Sequence, residues 1–503
     1  MHAIGPTTQP TLDHATRPRS LRAPLLLGAL ALIVFLAHAP YFGLPYFWDE
    51  LGQFVPAALD LLHDGAWIPH STVPNSHPPG VMAYLALIWR IFGYSIPATR
   101  FAILALAAAA VLLIFLVASE IRPSPAPKII AAALLLCDPL FFTQSMLAQL
   151  DLPAMLFTLL SLLLFLKDRH LAATAACTAL VLSKETGAIL PLIFIVALYR
   201  DPARSKYAAG YLVPFVALGI WFFALWHTTG HIFGNPEFEH YNLIYSLNPV
   251  RASVALLRRL YFLFISDFRW IGSLAILAAW KRSRLYATRS WKIVWSFIAA
   301  HILLVSLLGG AALERYLLPV LPLVYIAMAN GFQLAPPRRR YVGFAALAAG
   351  LLAGLFLNPP FPFPYENNLA LVDFVDLHRA AAQFLEKSYP NETIYTAWPL
   401  TQALRNPASG YVHRSMSSAE TSDLHYSTLS ALDTKSVNVL VLYSRTWEPN
   451  WGVLRWPLLR DFLACFYEYE REMTSAEVRQ HFGLAPVERW TRRGQWIEIF
   501  ARP

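Results

Sequence analysis

The residues able to do chemistry stand at the ends of apolar runs. Asp49 and Glu50 follow directly on the first such run, Ala23 to Tyr41. Asp151 opens a later run, and Arg100, Lys184 and Arg315 stand at the ends of others. A carboxylate pair with cations nearby suits transfer of a group from a phosphate-linked donor. One carboxylate would take a proton from an acceptor hydroxyl, and the cations would stabilise the departing phosphate. His77, His240 and a carboxylate could also hold a divalent metal ion. The plainer readings are that the acids end helices in water, that Lys184 and Glu185 satisfy each other, and that the loop histidines are solvated.

These groups need elements to position them, and the composition says which. Of 503 residues, 56% are hydrophobic and 14% charged, against about 25% charged in an ordinary soluble domain. Apolar runs recur from Ala23 to Leu357, so the chain reads as a polytopic α-helical membrane protein. The formal net charge of +9 does not point to nucleic acid, because Lys and Arg gather at the ends of apolar runs, where orientation signals belong. Three cysteines, Cys137, Cys177 and Cys465, imply no disulfide framework.

Basic loops set the expected topology. Arg17, Arg19 and Arg22 keep residues 1–21 in the cytoplasm, and the run after them reads as a span, not a cleaved signal peptide. Span 1, at 22–40, then puts Asp49 outside. The first outer loop is 41–100, with Phe54–Gly65 and the twelve-residue Val81–Phe92 read as helices that do not cross. Later spans are expected near 101–119, 129–147, 150–166, 171–182, 187–199, 207–227, 257–280, 291–310, 316–334 and 341–357. Asp138-Pro139 would kink the third, and Gly309-Gly310 closes the ninth. Arg338, Arg339 and Arg340 give the strongest inside signal. About eleven spans result, so the transmembrane domain 22–357 places Asp49, Glu50, His77, Arg100, Asp151, Lys184, His240 and Arg315 on one outer face. Prolines 359, 360, 362 and 364 read as a stiff linker, 358–370. Residues 371–503 read as a small extracytoplasmic α/β domain, with a helix near Ala380–Lys387, buried strands at Thr393–Ala397 and Val437–Tyr443, and one or two more within Trp490–Phe500.

The order of these features resembles the GT-C glycosyltransferases, among them the protein O-mannosyltransferases and the bacterial aminoarabinose transferases. It rests on Asp49-Glu50 after span 1, His77-Pro78-Pro79-Gly80, Arg100, Gln149-Leu150-Asp151, Ser183-Lys184-Glu185 and Arg315-Tyr316-Leu317-Leu318-Pro319. The resemblance implies an inverting transfer from a polyprenyl-phosphate sugar to an acceptor hydroxyl or phosphate on a lipid, glycan or protein, outside a bacterial inner membrane. It makes Asp49 the base and Asp151 a second acid, with Glu50 beside them. Arg100, Lys184 and Arg315 would meet the donor phosphate, and Glu239-His240 resembles a proposed metal site. The chain departs from the family where Gly80-Val81-Met82 replaces a Leu-Gly-Lys, and where His77 and Pro78 replace an acid and a lysine. A transporter or flippase is the alternative. It would place charges near the midplane and repeat its halves, and no repeat is visible. A non-catalytic scaffold would tolerate loss of Asp49, Asp151 or Arg315.

Overall fold

The computed structural model describes residues 22–445 and 456–503; the expected cytoplasmic tail 1–21 lies outside them. Helix α1 (Arg22–His38) feeds the loop that carries Asp49. Helices α2 (Val55–Asp64) and α3 (Gly80–Phe92) follow, short as the sequence predicts. Helix α4 (Ile96–Ile121) runs 26 residues. Ser95 caps it, its hydroxyl accepting from Ala98 N at 3.2 Å, which satisfies one of the free N–H groups at the helix start.

The third expected span breaks where proline forbids the ladder to continue. Helix α5 (Pro125–Cys137) ends and α6 (Pro139–Gln144) begins. Between them Asp138 caps α6, accepting from Phe141 N at 2.8 Å. Its other oxygen meets Arg269 Nη2 at 2.5 Å and the Tyr325 hydroxyl. Both Asp138 and Arg269 are fully buried. Asp138→Ala is expected to cost about 3 kcal/mol, because it removes the fully buried carboxylate facing a buried guanidinium and leaves it only the half-buried Asp267. Thermal unfolding in nanodiscs checks this, and an unchanged midpoint would contradict it.

Helices α7 (Asp151–Leu166), α8 (His170–Ser183), α9 (Ile189–Tyr199) and α10 (Val213–Thr229) follow, then a single turn, α11 (Pro236–Glu239). The span expected at 257–280 is instead two helices, α12 (Pro249–Phe264) and α13 (Arg269–Arg282), bent by 87°. Arg258, Arg259, Asp267 and Arg269 interrupt that apolar run, and Asp267 and Phe268 turn the chain with φ +48° and +63°. Helices α14 (Arg289–Leu307), α15 (Leu321–Phe332) and α16 (Pro337–Phe356) complete this half. Among the described residues four helices have the length and apolarity to cross a membrane: Ile96–Ile121, Ser205–Thr229, Arg289–Leu307 and Pro337–Phe356. The bent pair makes five. The other expected spans are apolar helices of 10–17 residues, so by length alone the structure accounts for fewer crossings than eleven.

Beyond them, α17 (Ala370–Ser388) packs on a five-stranded sheet of order β2-β1-β3-β5-β4. Strand β1 (Ile394–Ala397) lies parallel to β2 (Ser418–Thr421) and to β3 (Val439–Tyr443). Helices α18 (Leu400–Arg405) and α19 (Tyr426–Ser430) lie between these strands in the chain, and α20 (Pro457–Tyr467) and α21 (Ser475–Phe482) come after them. The antiparallel hairpin β4 (Ala485–Arg492) and β5 (Gln495–Ala501) turns on Arg493-Gly494, both with positive φ, as a two-residue hairpin turn requires. Every residue of β3 is buried, which is why it reads as an unbroken apolar run. Polar β2 gives no such signal.

The segment expected as a linker is packed between the two halves. Tyr365–Asn367 forms a short 3-10 turn. Thr143 Oγ1 donates to Glu366 O at 2.5 Å, and Leu369 N donates to Leu355 O at 3.1 Å.

Candidate active site

Both halves of the chain hold the Asp49 loop. Tyr46 N donates to Ser409 O at 3.3 Å and the Tyr411 hydroxyl donates to Tyr46 O at 2.8 Å. Trp48 has φ +46°, a left-handed conformation that costs a bulky residue energy and persists only where its surroundings impose it. Those surroundings are rings of the C-terminal half. Trp398 lies edge-on at 5.0 Å and Phe374 at 5.7 Å.

From this loop the two adjacent acids go different ways. Glu50 is fully buried. It accepts from Phe47 N at 2.9 Å and Ala148 N at 2.6 Å, and it pairs with Arg100, whose Nη2 lies 3.2 Å from Oε2. Arg100 also donates to the carbonyls of Leu44 at 3.0 Å, Pro45 at 3.1 Å and Met146. The expected catalytic carboxylate Glu50 and the expected phosphate ligand Arg100 are therefore committed to each other. A buried charge is tolerable only when paired and hydrogen-bonded, and this pair pins the Asp49 loop to α4.

Asp49 faces a second cluster, centred on Arg315. The Arg315 guanidinium donates to Asp49 Oδ2, to Gln149 Oε1 at 2.8 Å and to Glu366 Oε2 at 2.9 Å. Its Nε lies 3.4 Å from Asp151 Oδ2. Lys184 Nζ meets Asp151 Oδ1 at 2.5 Å and sits 4.1 Å from the centre of the Tyr316 ring. Three carboxylates thus face two cations. Burial pushes the Glu366 carboxyl up, the charges of Asp49 and Asp151 add to this, and Arg315 opposes it. Asp49 is 17% exposed, against 3% for Asp151 and 4% for Glu366. It is the acid of this cluster that a substrate reaches most easily.

The sequence reading missed Glu366, a lone acid among the prolines of an apparent linker. It also missed Arg259. That guanidinium is buried on α12, and among the described residues none of its three nitrogens has a hydrogen-bond partner. Its neighbour Arg258 does have one, Glu314 Oε1 at 2.5 Å. Helix α12, which carries Arg259, packs against the 3-10 turn Glu314–Leu317 that holds Arg315 and Tyr316. His301 lies in the same region, its Nε2 2.8 Å from Tyr316 O and its Nδ1 without a hydrogen-bond partner among the described residues. A doubled arginine in a broken apolar run was the available signal.

A pocket of about 370 Å³ opens beside the cluster. Lys184, Glu185, His77, Glu239 and Tyr316 form its polar end. Its walls are apolar, among them Leu192, Phe215, Leu218, Phe222 and Leu304. The three expected metal ligands do not gather here. His77 Nδ1 turns to Glu185 Oε2 at 2.9 Å, and His240 is exposed. Among the described residues the one acid-histidine group compact enough for an ion is Asp60, Asp64 and His70, away from this pocket's lining. The set His77, Glu239 and His240 does not fit a shared ion, because Glu185 engages the first and the last faces outward.

The sequence profile described as dolichyl-phosphate-mannose-protein mannosyltransferase matches residues 76–227. No curated protein sequence matches the chain. Among solved structures it is similar to ArnT from Cupriavidus metallidurans bound to undecaprenyl phosphate. The TM-score is 0.54 at 13% identity, over 95% of this chain and 97% of that one. It is also similar to archaeal oligosaccharyltransferase AglB from Archaeoglobus fulgidus, in complex with an inhibitory peptide and a dolichol-phosphate. There the TM-score is 0.52 at 12% identity, over 84% of this chain and 69% of that one. The fold is the GT-C fold, and the chain is that of a multi-pass helical membrane protein.

Proposed function

We propose that this GT-C-fold chain is an inverting glycosyltransferase that moves a sugar from a polyprenyl phosphate to an acceptor, at the outer face of a bacterial inner membrane. One observation carries the reading: the most open carboxylate of a buried ion-paired cluster stands beside a pocket whose charged end holds Lys184 and whose body is apolar. A polyprenyl phosphate has that same division, one anionic head on a long apolar tail. The profile match and the undecaprenyl phosphate bound to ArnT point the same way.

The reaction follows from the charges. Asp49 takes the proton from an acceptor hydroxyl as its oxygen attacks the anomeric carbon. The bond from that carbon to the phosphate oxygen breaks, and polyprenyl phosphate leaves with the electron pair. Lys184 and Arg315 are shared with carboxylates, so they offer a phosphate only part of their charge. Arg259 is unshared. We assign it to the departing phosphate, whose growing charge a buried guanidinium stabilises strongly. No step uses a metal ion. Arg259→Gln is expected to weaken polyprenyl-phosphate binding about tenfold to a hundredfold, the worth of a charged hydrogen bond. Arg259→Lys should recover part of it. Binding equal to wild type in Arg259→Gln, measured by native mass spectrometry, would remove Arg259 from the site.

The test of the function is transfer itself. Purified protein in nanodiscs is given radiolabelled polyprenyl-phosphate sugars with a membrane extract as acceptor. Loss of label from the donor, with free polyprenyl phosphate as co-product, is the expected result. Neither consumption nor binding of any donor would end the glycosyltransferase reading.

A further inference from the structure

A second cavity, of about 520 Å³, lies across the Gly309-Gly310 turn from the first. The volume is in the range of small-ligand sites, roughly 300–1,000 Å³. Gly309 lines both cavities, so the turn is the wall between them. That wall has no room for side chains. Gly309 has φ +108°, and a Cβ there would come 3.2 Å from the Tyr316 ring. A Cβ at Gly310 would collide with the Tyr241 carbonyl. Asn242 fixes the turn, its carbonyl accepting from Gly309 N at 2.7 Å and its Oδ1 from Gly310 N at 3.3 Å.

The two cavities differ in chemistry. The first is an apolar channel with a charged head. The second is built from aromatic faces and paired polar groups. On its membrane-half side, the Arg251 guanidinium lies 3.3 Å from the centre of the Tyr245 ring and donates to Tyr245 O at 3.0 Å. It also donates to the Phe466 carbonyl and lies 3.7 Å from Glu468. Arg258 joins the lining through its pair with Glu314, with its Nη2 left unpartnered among the described residues. The opposite wall belongs to the C-terminal half, with Tyr467 at the end of α20 and His425. Each arginine is balanced by an acid, so the cavity does not select an anion. These polar groups stand among apolar side chains of the same lining, Val254, Leu459, Phe462 and Leu463. Flat rings beside fixed donors and acceptors suit a ring with one C–H face and several hydroxyls.

We propose that this cavity is the acceptor site, and that the acceptor presents a saccharide there. This rests on the transferase reading above. The acceptor sugar would enter between α12 and α20, its reacting hydroxyl directed past Gly309 toward the donor side. The C-terminal half then has a direct role as one wall of the acceptor site.

The test uses full-length protein in nanodiscs and saturation-transfer NMR with soluble gluco-, manno-, galacto- and arabino-oligosaccharides. Undecaprenyl-phosphate binding is measured on the same samples. The expected result is saturation of sugar-ring protons in at least one series. Ala255→Trp, which fills the cavity, should abolish it. Tyr467→Ala should weaken binding about tenfold, the scale of one lost aromatic contact, and Tyr467→Phe should bind as wild type. Undecaprenyl phosphate should bind all four proteins alike, which reports that each variant is folded. The proposal is overturned if no oligosaccharide binds, if Ala255→Trp binds undiminished, or if a Ser/Thr peptide occupies the cavity and Ala255→Trp excludes it. Failure of the underlying transferase reading looks different, since wild type would then not bind undecaprenyl phosphate.

Discussion

Asp49→Asn is expected to bind polyprenyl phosphate like wild type and to transfer sugar about a hundredfold to ten-thousandfold more slowly, the contribution of a positioned general base. Asparagine has the size of aspartate, and its Oδ1 can still accept from Arg315, so the loop that the Glu50–Arg100 pair anchors should stay in place. What the amide cannot do is take a proton. Single-turnover transfer with labelled donor measures the effect apart from product release. Asp151→Asn is the informative comparison. Asp151 is held by Lys184 on one oxygen and lies near Arg315 on the other, so its loss should disturb donor binding more than the chemical step. The reverse pattern, with Asp49→Asn active and Asp151→Asn binding donor normally but inert, would move the base to Asp151.

The second large effect is expected at Arg315. Arg315→Ala removes the cation between Asp49, Glu366 and Asp151 and leaves three carboxylates to Lys184 alone. Breaking a buried ion pair in this way costs about 3–5 kcal/mol. The loss should depend on pH in a defined direction. The Glu366 carboxyl is already raised by burial, with Arg315 opposing, and without Arg315 it rises further. A carboxyl whose pKa is higher folded than unfolded binds more protons in the folded state. Its folded state is therefore least penalised below the ordinary carboxylate range and loses stability as pH rises through the folded value. Arg315→Ala should gain stability relative to wild type as the buffer is taken from pH 8 to pH 5, and Arg315→Ala/Glu366→Gln should show less of this dependence. Unfolding midpoints across that range check it. A gap to wild type that stays constant with pH would mean that Glu366 is not the group responsible.

Much of this arrangement was legible in the sequence, for identifiable reasons. Asp49, Asp151, Lys184 and Arg315 could be placed together because charged residues at the ends of apolar runs are constrained by topology. Topology could not separate Asp49 from Glu50, since adjacent residues on a loop share every sequence-level property. Their difference arises from Ala148 N and Arg100, about 100 and 50 positions away. For the same reason Arg100 read as a phosphate ligand, because its buried partner was invisible. Glu366 was hidden by its prolines, which suggest a spacer but here set the chain for a turn against Thr143. The span at 257–280 was read as continuous because its mean apolarity outweighed the arginines and aspartate that break it. In the C-terminal half the buried β3 and the final strand β5 were readable as apolar runs, whereas the start of β4 lay outside the expected run and the polar edge strand β2 lacks both alternation and apolar content.

The most direct test of the account is the anomeric configuration of the first product, read by NMR before any further processing. Attack by an acceptor activated at Asp49, in one displacement of the phosphate, predicts a sugar linkage inverted relative to the donor. A retained linkage would mean two displacements through a sugar bound to the enzyme, and would contradict a role for Asp49 as the base of a single-step transfer.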